Sequence, residues 1–400
     1  MTDNARTLLI ARGVRAFADG FTALLLPAYL TALGFSPLQV GAITTCTLLG
    51  SAALTLVVSF LGHRAPARTL LIGACWLMLA TGLGFSQARA FWPMAVIGFV
   101  GTLNPSGGDV SVFAPLEQSM LAHAGPDNER TSLFARFGLV GALMMAAGSL
   151  FVAVVEPTAK LLAVPRLEVM QALFAVYGLL AIVALGLYAR LPRLKLQEGP
   201  PSAPLGPSKR HVMVLAALFS LDAFGGGFVV QSIMALWLFQ RFGMSLPVAG
   251  AFFFWCAILS AISQLAAPWV ARRIGLVRTM VFTHVPANLC LVLAPFAPNL
   301  WSVVALLLVR AALNQMDVPT RTSYVMAVVT PEERTAAAGV TSVPRSLAGG
   351  LSPALAGLML GASAFGWPLV VGGGLKVVYD LLLLRGFSEL RPPEEGGRRA

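Results

Sequence analysis

Arg310, Asn314, Asp317 and Arg321 are spaced 0, 4, 7 and 11 residues along an otherwise apolar segment, and on a 3.6-residue period they fall on one helix face. Two guanidinium groups, a carboxamide and a carboxylate in a stripe can bind a charged solute, exchange a proton or hold an ion pair. An ionised side chain at bilayer depth costs roughly 2.5–3.5 kcal/mol on insertion scales, so such a stripe is expected to face protein or a water-filled cavity. The same residue types recur elsewhere. Arg15 and Asp19 form an i, i+4 pair in the first apolar segment. Asp109 follows an Asn104-Pro105 step and Gly107-Gly108, where the chain is expected to kink or unwind, and Glu117 lies two turns further on. Asp222 precedes a Gly225-Gly226-Gly227 triplet and Gln231, while Arg136 and Arg345 begin or interrupt apolar segments. Lys376 and Asp380, one turn apart, read as a local pair.

These charges are sparse in a chain that is 57% hydrophobic and 11% charged over 400 residues. A bilayer span takes roughly 20 apolar residues. Twelve candidates are legible, at 8–33, 38–61, 69–85, 91–121, 132–155, 168–189, 212–239, 247–270, 277–294, 301–329, 337–361 and 367–385. The expected fold is therefore an all-α membrane protein of twelve transmembrane helices. Residues 1–189 form a first six-helix bundle, 190–211 a Pro-rich basic linker, 212–386 a second bundle and 387–400 a disordered tail.

A net charge of +11 would raise nucleic acid as a partner in a soluble chain. Position argues otherwise: 17 of the 28 Lys and Arg lie in one set of alternate loops and termini and 4 in the opposite set. The positive-inside rule then places both termini in the cytoplasm, with anionic lipid headgroups as the partner of the basic loops. Cys46, Cys75, Cys256 and Cys290 are scattered singly and read as small buried hydrophobes. The first apolar segment carries Asp19 midway and reads as a retained span rather than a cleaved signal.

The two halves repeat. SPLQVGA at 36–42 matches SLPVAGA at 245–251 with an offset of 209, which also carries Arg64 onto Arg273. An offset of 204 carries Pro115 onto Pro319 and Arg130-Thr131 onto Arg334-Thr335. Twelve spans, two parallel halves, a long basic central loop and arginine-bearing loops after the second and eighth spans resemble the major facilitator superfamily (MFS). The loop motif departs from that family's pattern, with His63 where an aspartate is usual and Pro66 where a glycine is. The glycines of the fifth span, Gly138, Gly141 and Gly148, only partly echo the family's exporters.

The resemblance implies a secondary transporter in which two pseudo-symmetric bundles rock around a central cavity. No nucleotide-binding loop is present, since GGGLK at 372–376 lacks the spacing. A proton gradient is the expected energy source, with Asp19, Asp109, Asp222 and Asp317 as candidate proton-coupling carboxylates. Arg15, Asn104, Glu117, Arg136, Gln231, Arg310, Asn314, Arg321 and Arg345 are the candidate substrate or gating residues, with Arg136 and Arg345 as possible partners of Glu117 or Asp317 at an inner gate. His284 stands alone in an apolar helix and reads as a satisfied core histidine. With no catalytic triad and no metal-ligand spacing, the chain is expected to be no enzyme and to need no cofactor or metal. The expected activity is proton-coupled efflux of amphipathic compounds, by antiport, from a monomer in the inner membrane. The alternative is transport of a small organic anion held by cavity arginines.

Overall fold

The structure, a computed structural model, describes residues 2–61, 65–107, 111–124, 130–193, 206, 208–330 and 333–387. Its regular elements are helices. In chain order these are α1 (Asp3–Ala32), α2 (Pro37–Leu61), α3 (Ala67–Gln87), α4 (Phe91–Val100), α5 (Phe113–Ala122), α6 (Arg130–Phe151), α7 (Val155–Leu162) and α8 (Arg166–Tyr188). The second half continues with α9 (Lys209–Gly227), α10 (Gln231–Phe242), α11 (Leu246–Ile274), α12 (Leu276–Leu293), α13 (Leu300–Leu313), α14 (Asp317–Val328), α15 (Arg334–Ala362) and α16 (Trp367–Phe387). Eight helical runs among the described residues are long and apolar enough to cross a bilayer, and α4 and α13 are shorter apolar helices.

The twelve expected segments map onto sixteen helices because three of them are interrupted, by local chemistry, and a further short helix, α7, forms in the stretch expected as a loop between 155 and 168. The segment at 91–121 stops at Val100 and resumes at Phe113. Between them Pro105 lacks an amide donor and Gly107 adopts φ +71°, a conformation that a side chain disfavours. The segment at 212–239 breaks after the glycine triplet, and Val230 is extended with ψ 154° before α10 begins. The segment at 301–329 turns at Asn314, and α14 restarts at Asp317 with Pro319 in its first turn, where a missing amide donor costs least. A 3-10 turn at Val152–Val154 separates α6 from α7. The one-face stripe expected for Arg310, Asn314, Asp317 and Arg321 is thus divided between two helices.

The chain divides into two compact units. The first comprises Met1–Glu198, Val230–Ala257 and Pro353–Ala362, and the second Gly199–Val229, Ile258–Ser352 and Ser363–Ala400. In the first, α1 lies against α6, α8 and α10, α3 against α8, and α2 against α4. The α3/α8 crossing is close enough that a Cβ on Gly82 would sit 2.5 Å from the Gly178 amide nitrogen. The repeat-related glycines Gly41 and Gly250 also mark close crossings. A Cβ on Gly41 would overlap the Pro353 carbonyl, and one on Gly250 would lie 2.6 Å from that of Ser149. Such contacts hold helices together where lipid supplies no hydrophobic drive.

In the second unit α16 lies against α9 and α12, and α12 also meets α13 and α14. Phe219, Met280, Tyr324, Tyr379 and Leu383 belong to its core. Trp92, Trp301 and Trp367 stand exposed at or near the starts of α4, α13 and α16, the placement expected of side chains at a membrane interface.

Candidate functional site

Each unit buries a cluster of charges. In the first, α1 carries Arg15, only 2% exposed. Its Nη2 pairs with a Glu117 oxygen on α5, its Nε donates to the Tyr188 hydroxyl on α8 at 3.0 Å, and its Nη1 reaches Ser111 Oγ at 3.5 Å. Tyr188 in turn donates to the second Glu117 oxygen. The guanidinium carbon lies 4.1 Å from the Phe113 ring centroid, so the cation is held by a carboxylate and a ring face together. Asp19 lies one turn along α1 from Arg15 and is buried, as is Asn104, whose Oδ1 accepts from the Ser106 amide at 3.2 Å and hydroxyl at 2.6 Å.

The second cluster centres on Asp222 of α9. Its Oδ1 lies 2.6 Å from Lys376 Nζ on α16, and its Oδ2 lies 3.2 Å from Arg321 Nη1 on α14. The same Arg321 nitrogen is 3.2 Å from Asp317 Oδ2, an i, i+4 pair within α14. One carboxylate therefore faces two cations, and one of those cations is shared with a second carboxylate. Arg345, on α15, is half-buried, and its Nε has no hydrogen-bond partner among the described residues. Removing one partner from such a buried set leaves a charge uncompensated, which typically costs about 3–5 kcal/mol.

The sequence-derived candidates fare differently. Asp222, Asp317 and Arg321 come together, and Glu117 meets Arg15, so the acid two turns below the broken segment is tied to α1. Arg136 is exposed on α6. Arg310 is half-buried on α13, and Asn314 forms the C-terminal cap of that helix, its amide donating to the Arg310 carbonyl at 2.8 Å. Gln231 is half-buried at the start of α10, beside Gly107, and its Nε2 has no partner among the described residues. Asp109 and His63 lie outside the described residues, as do most of the linker and the tail.

One expectation needs correcting. Lys376 and Asp380 do not pair locally: Lys376 Nζ goes to Asp222, and Asp380 turns to His284 of α12, whose Nδ1 lies 2.9 and 3.1 Å from its two oxygens. Asn288, one turn from His284, donates to Asp380 Oδ2 at 3.2 Å. The reason is tertiary: each side chain has a partner on a neighbouring helix, α9 for Lys376 and α12 for Asp380, and those contacts win over the local one. His284 is thus buried and hydrogen-bonded, as a satisfied core histidine is, and its partner is the Asp380 carboxylate. Its sequence signal was the i, i+4 spacing of His284 and Asn288 in an apolar helix, but the acid opposite lies 96 residues away. Tyr188, which bridges Arg15 and Glu117, was also missed, because a tyrosine at the end of an apolar segment carries no distinguishing pattern.

The model of the Major Facilitator Superfamily matches residues 8–313 and 216–400. The uncharacterized membrane protein YJR124C of Saccharomyces cerevisiae (strain ATCC 204508 / S288c) is 24% identical over 408 residues, covering 92% of this chain and 91% of its own length. The multidrug efflux protein YfmO of Bacillus subtilis (strain 168) is 29% identical over 140 residues, 35% of each chain. The crystal structure of the nucleoside transporter NupG superposes with a TM-score of 0.73 at 14% identity, covering 96% of this chain and 98% of that one, a likeness of fold. Helices that bury ion pairs within apolar runs, a duplicated sequence and a family match over nearly its whole length lead to one conclusion: this chain belongs to the Major Facilitator Superfamily and is a multi-pass membrane transporter, not an enzyme.

Proposed function

We propose that the chain exports small amphipathic compounds in exchange for protons, by alternating access, as a monomer in the cytoplasmic (inner) membrane with both termini in the cytoplasm. The observation that carries this reading is the double pairing of Asp222 with Lys376 and Arg321. A proton placed on that carboxylate removes the charge opposing two cations at once. Arg321 retains Asp317, and Lys376 loses its partner. Proton binding thereby changes which side chains attract one another across α9, α14 and α16, and that is what coupling a proton to a conformational change requires. Asp19, Asp109 and Asp317 are the other carboxylates assigned to proton exchange. Arg15, Asn104, Glu117, Arg136, Gln231, Arg310, Asn314, Arg321 and Arg345 are assigned to the solute or to gating. The efflux direction is supported by the resemblance to YfmO over part of the chain. The test is flux in proteoliposomes: Asp222→Asn and Asp317→Asn variants should lose proton-driven transport, and full coupling in both variants overturns the assignment.

The half-buried Arg345, with its unpartnered Nε, supports a second reading, transport of a small organic anion. On that reading Arg310→Gln and Arg345→Gln abolish uptake of carboxylates while leaving neutral and cationic compounds unaffected. On the first reading they impair both classes alike.

A further inference from the structure

We propose that His284 and Asp380 form a proton-binding pair that loads and unloads during the transport cycle and passes its charge state to Asp222 through Lys376. The inference rests on the proton-coupled reading and assigns to it a site on helices that hold none of the candidates above.

The pair is buried in the second unit: Asp380 is 0% exposed, His284 2% and Asn288 0%. An imidazole whose Nδ1 lies 2.9 and 3.1 Å from both oxygens of a carboxylate donates from that nitrogen, so the exchangeable proton sits on Nε2. The other carboxylate contact is a hydrogen bond from Asn288, and the Tyr379 ring stands edge-on to the imidazole with centroids 6.2 Å apart. A buried ion pair commonly stabilises no better than apolar side chains of similar volume.

The surroundings supply the linkage. From α16 come Lys376, Tyr379 and Asp380, from α9 Asp222, and from α14 Asp317 and Arg321. Arg345 of α15 stands close enough to Arg321, Asp222 and Asp317 to feel their charges. Lys376 is bonded to Asp222 at 2.6 Å and lies one helical turn before Asp380 on α16, within range of its charge. When a proton from water bonds to Nε2, the imidazolium neutralises Asp380 and leaves Lys376 to Asp222. When that N–H bond breaks and the proton returns to water, Asp380 loses its full cationic partner and draws Lys376 towards itself. Asp222 is then left to Arg321 alone. The step moves one proton and one ammonium group, and no other bond changes.

The chain has four histidines, so a protein carrying His63→Gln, His123→Gln and His211→Gln retains His284 as its single imidazole. Its 15N imidazole signals in lipid nanodiscs should show Nδ1 protonated throughout and Nε2 changing state across the pH range in which transport is active. The wild type should carry a larger proton flux per solute than His284→Gln, measured with a pH indicator trapped in vesicles, and Asp380→Glu, which keeps a carboxylate for the imidazole, should retain the His284-dependent part of the pH profile that Asp380→Asn loses. An imidazole that stays in one charge state across that range, in a protein that moves protons, overturns this inference alone. A wild type that transports solute without moving protons overturns the proton-coupled reading instead. Should His284→Gln fail to fold, the 15N titration decides by itself, because it leaves the pair intact.

Discussion

Replacing Asp222 by Asn keeps the side chain's shape and removes the charge that faces Lys376 at 2.6 Å and Arg321 at 3.2 Å. The two cations then differ. Arg321 keeps Asp317 at 3.2 Å, whereas Lys376, whose side chain is 8% exposed, is left buried without its acid. Stranding one charge of a buried pair costs about 3–5 kcal/mol, and water replaces little of it at that depth. A second substitution, Lys376→Met, removes the stranded charge and fills the same volume. The double variant should therefore recover most of the loss and come within about 1–2 kcal/mol of wild type, because a buried pair exchanged for an apolar one is often close to neutral. The assay is a double-mutant cycle on unfolding in detergent micelles or nanodiscs, with proton flux measured on the same preparations. Stability should return in the double variant while proton coupling stays absent. An Asp222→Asn loss below about 1 kcal/mol, the size of a solvent-exposed pair, would refute the reasoning, as would a double variant no more stable than the single.

Three further outcomes follow from particular contacts. Glu117→Gln should destabilise the first unit by a similar margin, about 3–5 kcal/mol, because Arg15 at 2% exposure loses its carboxylate; an unchanged melting transition would count against it. Gly82→Ala should cost about 1–3 kcal/mol by forcing α3 away from α8, where the added carbon would lie 2.5 Å from the Gly178 nitrogen, and Gly73→Ala on the same helix, facing open space, should not. Glu333 accepts hydrogen bonds from the Ser208 side chain and the Gly206 amide, which hold its carboxyl below its ordinary value of 4.5. A lowered folded-state value means the contact stabilises above the unfolded value and is lost as pH falls through the folded one. The protection factor of the Gly206 amide, its exchange rate corrected for the intrinsic pH dependence, should therefore fall in acid, and Glu333→Gln should flatten that dependence.

Much of the fold was legible because lipid imposes a coarse rule: apolar runs of about 20 residues read as spans, and Asn104-Pro105 with Gly107-Gly108 marks one break, whereas the breaks after the glycine triplet at 225–227 and before Pro319 interrupt runs that read as continuous. The glycines at 41 and 250 showed the duplication, and in the structure both stand at helix crossings that exclude a side chain. Individual charges were legible as well, since Arg15, Asp222, Arg321 and Lys376 are conspicuous in apolar surroundings. Their partners were not. Helical periodicity reports only which side chains share a face of one helix, so it suggested Lys376 with Asp380. The ion pairs Asp222–Lys376 and His284–Asp380 join residues 154 and 96 apart, and they depend on the angular order of α9, α12 and α16 around one another. No local spacing encodes that order.

Proton movement through Asp222 is most directly tested in sealed proteoliposomes that contain the purified protein, a trapped pH indicator and an imposed pH gradient. Each of a panel of neutral, cationic and anionic amphipathic dyes is added in turn, and dye and proton fluxes are recorded together. The account predicts that at least one neutral or cationic dye moves against its gradient with a matching proton flux in the opposite direction, and that Asp222→Asn abolishes both while still binding the dye. Dye accumulation that is indifferent to the pH gradient, or an Asp222→Asn protein that exchanges protons as the wild type does, would contradict it.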